Sequence, residues 1–361
     1  MTNPPKTGLP SLLVAAFLFL SLPATARQAI TDASPVVTPL FASHSPLSVT
    51  IEAPLTTLMT ERPDEKYLDG TFSYTAGDGA LQVFDLKLRT RGNYRRQKKH
   101  CDFAPIRLNF RKKQVAELEF AGQDKLKLVT HCQNGRAHYR QLLLREFLAY
   151  RILQLMTDKS YGVRLLQINY IDTEGAEPMT SIGFVIEDDD AVAERIGMLP
   201  VSTSHITYDD LERRQANLIN VFQFLIGNTD YSLVNREPGE NCCHNADLMS
   251  ATEGPPFTPL PYDFDFAGLV NAPYAEPNPQ LDLRSVRQRL YRGRCSNNEL
   301  LPATFERFFE KKDAVYGIVA ELDMFNAESR RDIIRYLDAF YDSISQSSRI
   351  KSRFTDRCVY Q

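Results

Sequence analysis

The stretch between Gly227 and Gly268 determines how the rest of the chain is interpreted. It contains Gly227-Asn228-Thr229-Asp230-Tyr231, then Cys242-Cys243-His244-Asn245, then Pro261-Tyr262-Asp263-Phe264-Asp265-Phe266-Ala267-Gly268. In an extended segment, residues two apart point to the same face, so we expect Asp263 and Asp265 to face one cavity. Oxygen ligands are the ones that hard divalent cations prefer, and such cations pair with phosphates. The stretch therefore predicts a phosphoryl-transfer site.

The N-terminal residues predict an export signal. Lys6 supplies a positive charge, 12–22 is a short apolar run, and Ala24-Thr25-Ala26 is typical of a cleavage site. The run is too short for a comfortable membrane span, although a retained anchor is the alternative. We therefore expect a signal peptide at 1–26, a linker rich in Pro, Ser, Thr and Ala at 27–46, and a periplasmic or secreted protein without stable membrane insertion.

The net charge limits the kinds of partner that we expect, and the cysteine content indicates the cellular compartment. The net charge of −3 over 361 residues gives no reason to expect a nucleic-acid partner. Six cysteines in an exported chain favour disulfide bonds. Because adjacent cysteines are not the usual spacing of zinc ligands, we expect disulfides there rather than a metal site. We expect Cys101 to pair with Cys132, and Cys242 and Cys243 to pair with Cys295 and Cys358.

The order of predicted elements indicates an α+β protein with two lobes. Alternating or apolar runs predict strands at 47–52, 81–89, 105–110, 125–129, 163–171 and 181–186, with turn signals at Asp69-Gly70 and at 76–79. Helical patterns begin near Tyr139 and cover 209–227, 302–319 and 327–345. We expect an N-terminal antiparallel β lobe with one packed helix at 47–186 and a helical C-terminal lobe at 187–361. This is the layout of a protein-kinase-like fold with a cleft between the lobes.

Basic residues ahead of the first long helix are the candidates for binding phosphate. Arg91 follows a strand and precedes Gly92, which would let the backbone approach a phosphate group. Lys125 and Lys127 lie on a strand just before the helix that carries Glu146, so a Lys–Glu ion pair is expected to orient a phosphate-binding ammonium. Only one of the two lysines is needed, and the other is expected to be solvated.

The carboxylates of the central stretch are the candidates for catalysis and metal binding. Asp230 is expected to orient the attacking hydroxyl, while Asn245, Asp263 and Asp265 hold the metal. Alternatively, Asp230 caps a turn, since Asn-Thr-Asp is ordinary turn chemistry, and the Asp-x-Asp segment holds structural calcium. His244 is expected to be a hydrogen-bonded structural residue.

Two other charged clusters are interpreted as surface features. The acidic run 187–190 is expected to be a solvated loop. The basic cluster of Arg95, Arg96, Lys98 and Lys99 lacks interleaved aromatic residues apart from Tyr94. It is therefore expected to be a solvated or phosphate-steering face rather than a nucleic-acid site.

These motifs, in this order, resemble those of the CotH family of atypical protein kinases, named for a spore-coat member. The resemblance lies in Arg91-Gly92-Asn93, 125–129, 142–149, 183–187, Gly227-Asn228-Thr229-Asp230, His244-Asn245 and Asp263-Phe264-Asp265. It implies a kinase-like fold, use of ATP with Mg²⁺ or Mn²⁺, and phosphate transfer to protein hydroxyls. It also implies that Asp230 is the catalytic-loop aspartate, Asn245 the loop asparagine and Asp263 the metal aspartate.

The chain departs from the family pattern in three places. The segment between Asp230 and Asn245 is long and carries the cysteine pair, the Ser that often follows Arg-Gly-Asn is missing, and no separate glycine-rich loop is visible. The expected function is an exported ATP-dependent kinase acting on an unknown protein or small-molecule acceptor. The alternative is a non-catalytic envelope or surface assembly protein that keeps a binding module.

Overall fold

The computed structural model describes residues 1–4, 37–115, 118–236, 239 and 241–360. Residues 5–36, which contain most of the expected signal peptide and part of the expected linker, lie outside the described residues. Pro35–Gln361 is one compact unit. The described end of the expected linker holds a short helix, α1 (Pro39–Ala42), whose Leu40 and Phe41 are buried in the core.

A closed barrel of seven strands forms the first half of this unit. Its strands are β1 (Leu47–Ala53), β2 (Leu68–Thr75), β3 (Leu81–Thr90), β4 (Ile106–Phe110), β5 (Lys125–Val129), β6 (Val163–Asp172) and β7 (Met179–Ile186). Neighbouring strands pair antiparallel in the order β1-β2-β3-β4-β5-β7-β6. The barrel closes because β6 returns alongside β1 in a parallel pairing that aligns Leu47 with Leu166 and Ala53 with Asp172.

The barrel core follows from the alternating pattern of its strands. In β1, Val49, Ile51 and Ala53 are buried, since side chains two apart share one face of a strand. Phe72 packs between Phe110 and Phe120, with ring centroids 5.2 Å and 4.9 Å away. Edge-to-face contacts of this kind stabilise a core by about 0.5–1.5 kcal/mol beyond the area that they bury.

Helices and a second, smaller sheet complete the unit. The helices are α2 (Leu55–Glu61), α3 (Ala137–Met156), α4 (Asp189–Arg195), α5 (Arg213–Ile226), α6 (Leu301–Glu310), α7 (Lys312–Glu321), α8 (Ala327–Ser343) and α9 (Ser347–Ile350). The antiparallel sheet β8 (Leu199–Val201), β9 (Ala246–Ser250) and β10 (Thr258–Pro261) has the order β10-β9-β8. Helix α3 contacts β6, β7, α5 and α7, so it joins the barrel to the helices.

The expectation of a two-lobed kinase-like fold is wrong. The strands expected to form an antiparallel lobe belong to a closed, mixed barrel, and the helical part carries its own three-stranded sheet. Strand alternation reveals which face of a strand is buried, but it does not reveal the strand's partner. The closure rests on the pairing of β1 with β6, which are far apart in the chain. A further expected turn, Asp69-Gly70, lies inside β2.

The three disulfides agree with the sequence-based prediction only in part. Cys101 bonds to Cys132 as expected, with their Cα atoms 4.6 Å apart. The other prediction is wrong, because Cys242 bonds to Cys243 and Cys295 bonds to Cys358. Disulfides are typical of proteins in oxidising compartments. Within the described residues, no helix is long and apolar enough to cross a membrane.

Candidate functional site

One cavity of about 510 Å³ brings most of the candidate residues together. We call it the carboxylate cavity. Among its lining residues are Arg91, Lys127, Glu146, Asp230, Asn245, Asp263 and Asp265. Lys125 is the exception, since its side chain is exposed at the start of β5 and does not line the cavity.

The side chain of Asp230 is held by two consecutive residues. His244 Nε2 lies 2.9 Å from Asp230 Oδ1. Asn245 Nδ2 donates to the backbone oxygen of Asp230 at 2.7 Å and to its Oδ2 at 3.1 Å. The prediction for Asn245 as a metal ligand therefore needs its amide oxygen, because its amide nitrogen is engaged with Asp230. His244 is hydrogen-bonded, and it also lines the cavity beside the carboxylate.

The end of helix α5 sets the position of Asp230. Gly227 ends the helix in the left-handed region with φ 65°, a conformation that glycine adopts without steric cost. The Asn228 side chain then accepts a hydrogen bond from the backbone N–H of Asp230 at 2.9 Å. Arg292 donates to the backbone oxygens of Thr229 and Tyr231 at 3.0 Å and 2.6 Å. The turn is thus fixed on both sides of Asp230.

Three carboxylates lie together at the other side of the cavity. Burial raises the pKa of Glu146 to about 7, with Arg95 opposing the shift and Asp263 adding to it. Burial, followed by repulsion from Asp263 and Glu146, raises the pKa of Asp265 well above its usual range. Tyr274 donates to Asp265 Oδ2 at 2.9 Å, and the backbone N–H of Asp263 donates to the Tyr150 hydroxyl at 2.9 Å.

The ion pair that the sequence suggested forms with a different cation. Arg95, rather than Lys127, lies beside Glu146, with Nη1 3.3 Å from Oε2. The other terminal nitrogen of Arg95 donates to the Thr130 carbonyl at 2.6 Å, while its buried Nε has no hydrogen-bond partner among the described residues. The prediction of a Lys–Glu pair is therefore wrong. The sequence predicts for Arg95 only a place in a solvated or phosphate-steering basic cluster, so this pairing was missed.

Lys127 occupies a separate, partly aromatic corner of the cavity. Its Nζ lies 2.9 Å from Asp189 Oδ1 and within 5.2 Å of the centre of the Tyr262 ring. Asp247, on β9, accepts a hydrogen bond from Tyr161, and burial raises its pKa. The ammonium therefore lies in a pocket of acidic and aromatic groups, where a cation is stabilised.

The expectation of a solvated acidic run at 187–190 holds only for Asp190, which is exposed. Glu187 is fully buried and forms an ion pair with Arg195 at 2.8 Å. The Asp188 side chain caps α4, and Asp189 binds Lys127. Glu187, Asp188 and Asp189 therefore each have a donor within the protein.

The carboxylate cavity offers two nearby aspartates, Asp263 and Asp265, as oxygen donors for a divalent cation. Among the described residues there is no group of three or more His, Cys, Asp or Glu side chains arranged to hold a metal. Mg²⁺ usually takes one or two carboxylates and completes its shell with water and phosphate oxygens. Burial is the main cause of the raised pKa of Asp265, and repulsion from Asp263 and Glu146 adds to it; a cation at this place would relieve the repulsion.

Comparison with protein-family models finds no match for this chain, and comparison with curated proteins finds none. The resemblance to the CotH family therefore rests on the short motifs, most of whose polar residues line the carboxylate cavity.

Proposed function

We propose that this protein is an exported phosphotransferase that moves phosphate from ATP, with Mg²⁺ or Mn²⁺, to a hydroxyl group of an acceptor. The observation that carries the proposal is the convergence of Asp230 and of the Asp263 and Asp265 carboxylates with three cationic side chains on one cavity. Phosphoryl transfer needs mainly this combination of positioning and charge neutralisation. The proposal does not depend on a kinase fold, because function belongs to the site rather than to the fold.

Each side chain has a defined role in this proposal. Asp230, fixed by His244 and Asn245, accepts the proton of the acceptor hydroxyl. The cationic groups of Arg91, Arg95 and Lys127 bind and neutralise the phosphate oxygens.

The metal would be held by Asp263 and Asp265, together with the amide oxygen of Asn245. When bound, a divalent cation neutralises charge that develops on the transferred phosphate. The three disulfides agree with an oxidising compartment outside the cytoplasm.

The first half of the proposal is nucleotide binding. Substitutions of Lys125 and Lys127, two lysines of strand β5, test it as a matched pair. Lys127→Met should weaken binding of ATP with Mg²⁺ about tenfold or more, because a charged phosphate ligand is lost. Lys125→Met should leave it unchanged, because that side chain is exposed and away from the cavity. Isothermal titration calorimetry on the oxidised protein measures both. Equal effects in the two variants would contradict the proposed phosphate site.

Phosphate transfer tests the second half. The oxidised protein should label itself or an added protein or small-molecule hydroxyl acceptor from γ-labelled ATP, and chelation of divalent ions should abolish the labelling. Asp263→Asn should abolish it as well. If ATP binds in a metal-dependent way but no phosphate is transferred, the protein is a nucleotide-binding protein and the proposed transfer is wrong. Absence of both would favour the non-catalytic envelope or surface assembly protein.

A further inference from the structure

A second cavity, also of about 510 Å³, lies beside helix α2. We call it the α2 cavity. Its apolar lining includes Leu55, Met59, Phe103, Tyr170 and Met179. Phe103 and Tyr170 are almost fully buried, and their ring centroids are 4.8 Å apart. Cavities of about 300–1,000 Å³ with an apolar lining and a few polar groups are the usual form of small-molecule sites.

The walls of the α2 cavity are fixed by buried polar contacts. Asp172 accepts hydrogen bonds from the backbone N–H of Leu55 at 2.8 Å and from the Thr56 hydroxyl at 2.6 Å, which joins α2 to β6. The guanidinium of Arg62, only 8 % exposed, donates to the carbonyls of Cys101 and Asp102 at 2.7 Å and 3.0 Å. The Cys101–Cys132 disulfide braces the same wall. Contacts within the protein therefore hold the walls of the cavity in place.

The polar groups of the cavity identify the chemical class of the ligand. Lys98, Asp102 and Glu177 are exposed lining residues, and in the part of the chain that the structure describes none of them forms an ion pair. With Arg62, they give the lining charges of both signs.

We propose that the α2 cavity binds a zwitterionic small molecule with a bulky apolar side chain, of the class that free aromatic amino acids represent. The apolar side chain packs against Phe103, Tyr170 and the two methionines, whose flexible side chains adapt to different shapes. The carboxylate accepts from Lys98. The ammonium group lies near Glu177 and Asp102. This site is separate from the carboxylate cavity, and the proposal does not depend on phosphate transfer.

Three probes that differ only in their charged groups test this proposal. Calorimetry on the full oxidised protein would compare L-phenylalanine with phenethylamine, which lacks the carboxylate, and with 3-phenylpropionate, which lacks the ammonium. L-phenylalanine should bind about two- to fivefold more tightly than either, the size of an exposed ion pair, since each probe leaves one set of charges unpaired. No binding of L-phenylalanine at millimolar concentration would overturn the proposal. Equal binding of the three would also overturn it, leaving only an apolar pocket.

Surface variants assign the charged groups without disturbing the core. Lys98→Gln should weaken L-phenylalanine and 3-phenylpropionate about two- to fivefold, the size of an exposed ion pair, and should leave phenethylamine unchanged. Glu177→Gln should weaken L-phenylalanine and phenethylamine instead. Lys99→Gln is the matched control, because Lys99 is also exposed but does not line the cavity. If phenethylamine alone binds and Lys98→Gln has no effect, the ligand is an ammonium-ended molecule such as a peptide N-terminus, which contradicts the zwitterion.

Discussion

At the scale of single residues, the placement of Asp230 depends on hydrogen bonds from its neighbours rather than on burial. Its side chain is 36 % exposed, yet both carboxylate oxygens and the backbone oxygen have partners in His244 and Asn245. This arrangement keeps the carboxylate at the cavity wall while leaving it accessible from the cavity. Sequence reasoning selected Asp230 and Asn245 by their order, and treated His244 as structural, without the contact that joins the three.

Asp230→Asn tests the assigned role directly. General-base catalysis contributes about 10²–10⁴-fold, so the variant should lose that much in kcat while its affinity for ATP changes little. Steady-state labelling kinetics and calorimetry measure the two quantities. The exposed Asp209→Asn is the control, because Asp209 lies away from the cavity. A variant that retains full kcat would show that Asp230 only closes a turn.

The ion pairs of Asp332 illustrate how one carboxylate stabilises several segments and responds to pH. It lies on α8 and binds Arg145 of α3 at 2.8 Å and Arg287 at 2.9 Å. Although burial opposes the shift, hydrogen bonds from Arg145 and Arg287 hold the pKa of Asp332 below its usual value. A depressed pKa gives stability that is present above the unfolded-state value of about 3.9 and is lost as the pH falls through the folded-state value.

Asp332→Asn should therefore destabilise the protein at neutral pH but not in strong acid. The expected loss is about 1 kcal/mol at pH 7, because the pair is partly exposed and screened by solvent. Urea unfolding of the variant and the wild type at several pH values measures the difference. A difference that grows as the pH falls below about 3.9 would contradict this account.

At the scale of elements, glycines mark where the backbone needs unusual freedom. Gly227 ends α5 with φ 65°, and Gly135 has nearly the same φ, 67°. A Cβ at Gly227 would collide with the Tyr336 hydroxyl, whereas nothing lies within 4 Å of one at Gly135. Gly70 is different, because it lies inside β2, where a Cβ would meet the Glu52 carbonyl. The sequence could not distinguish this close approach from a turn.

The pair Gly135→Ala and Gly227→Ala separates backbone strain from steric collision. Gly135→Ala should cost about 1 kcal/mol, the strain of a left-handed conformation alone. Gly227→Ala should cost about 3 kcal/mol, because overpacking adds to the same strain. Chemical denaturation measures both. Tyr336→Phe should recover part of the loss in Gly227→Ala, and equal costs in the two alanine variants would rule out the collision.

At the scale of the whole molecule, two long-range disulfides constrain the unfolded chain. Cys101–Cys132 and Cys295–Cys358 close loops with sequence separations of 31 and 63 residues. Loop-closure entropy predicts losses of about 3.7 and about 4.3 kcal/mol when each pair is replaced by serines. Denaturant unfolding should show a larger loss of unfolding free energy when Cys295 and Cys358 are replaced than when Cys101 and Cys132 are replaced. The reverse order would show that native-state contacts outweigh chain entropy.

The sequence by itself determined strands β1 and β3–β7, the longer helices, the Cys101–Cys132 pair and most of the polar residues that line the carboxylate cavity, but not β2 or the small sheet β8–β10. It could do so because the hydrophobic periodicity indicates which face of a strand or helix is buried. The site motifs, in turn, are recognised by the types of residue that they contain. Only the tertiary structure decided the parallel closure of β1 with β6, the pairing of Glu146 with Arg95 rather than Lys127, and the bond between Cys242 and Cys243. These depend on which side chains and strands meet in space, and distance along the chain does not encode that.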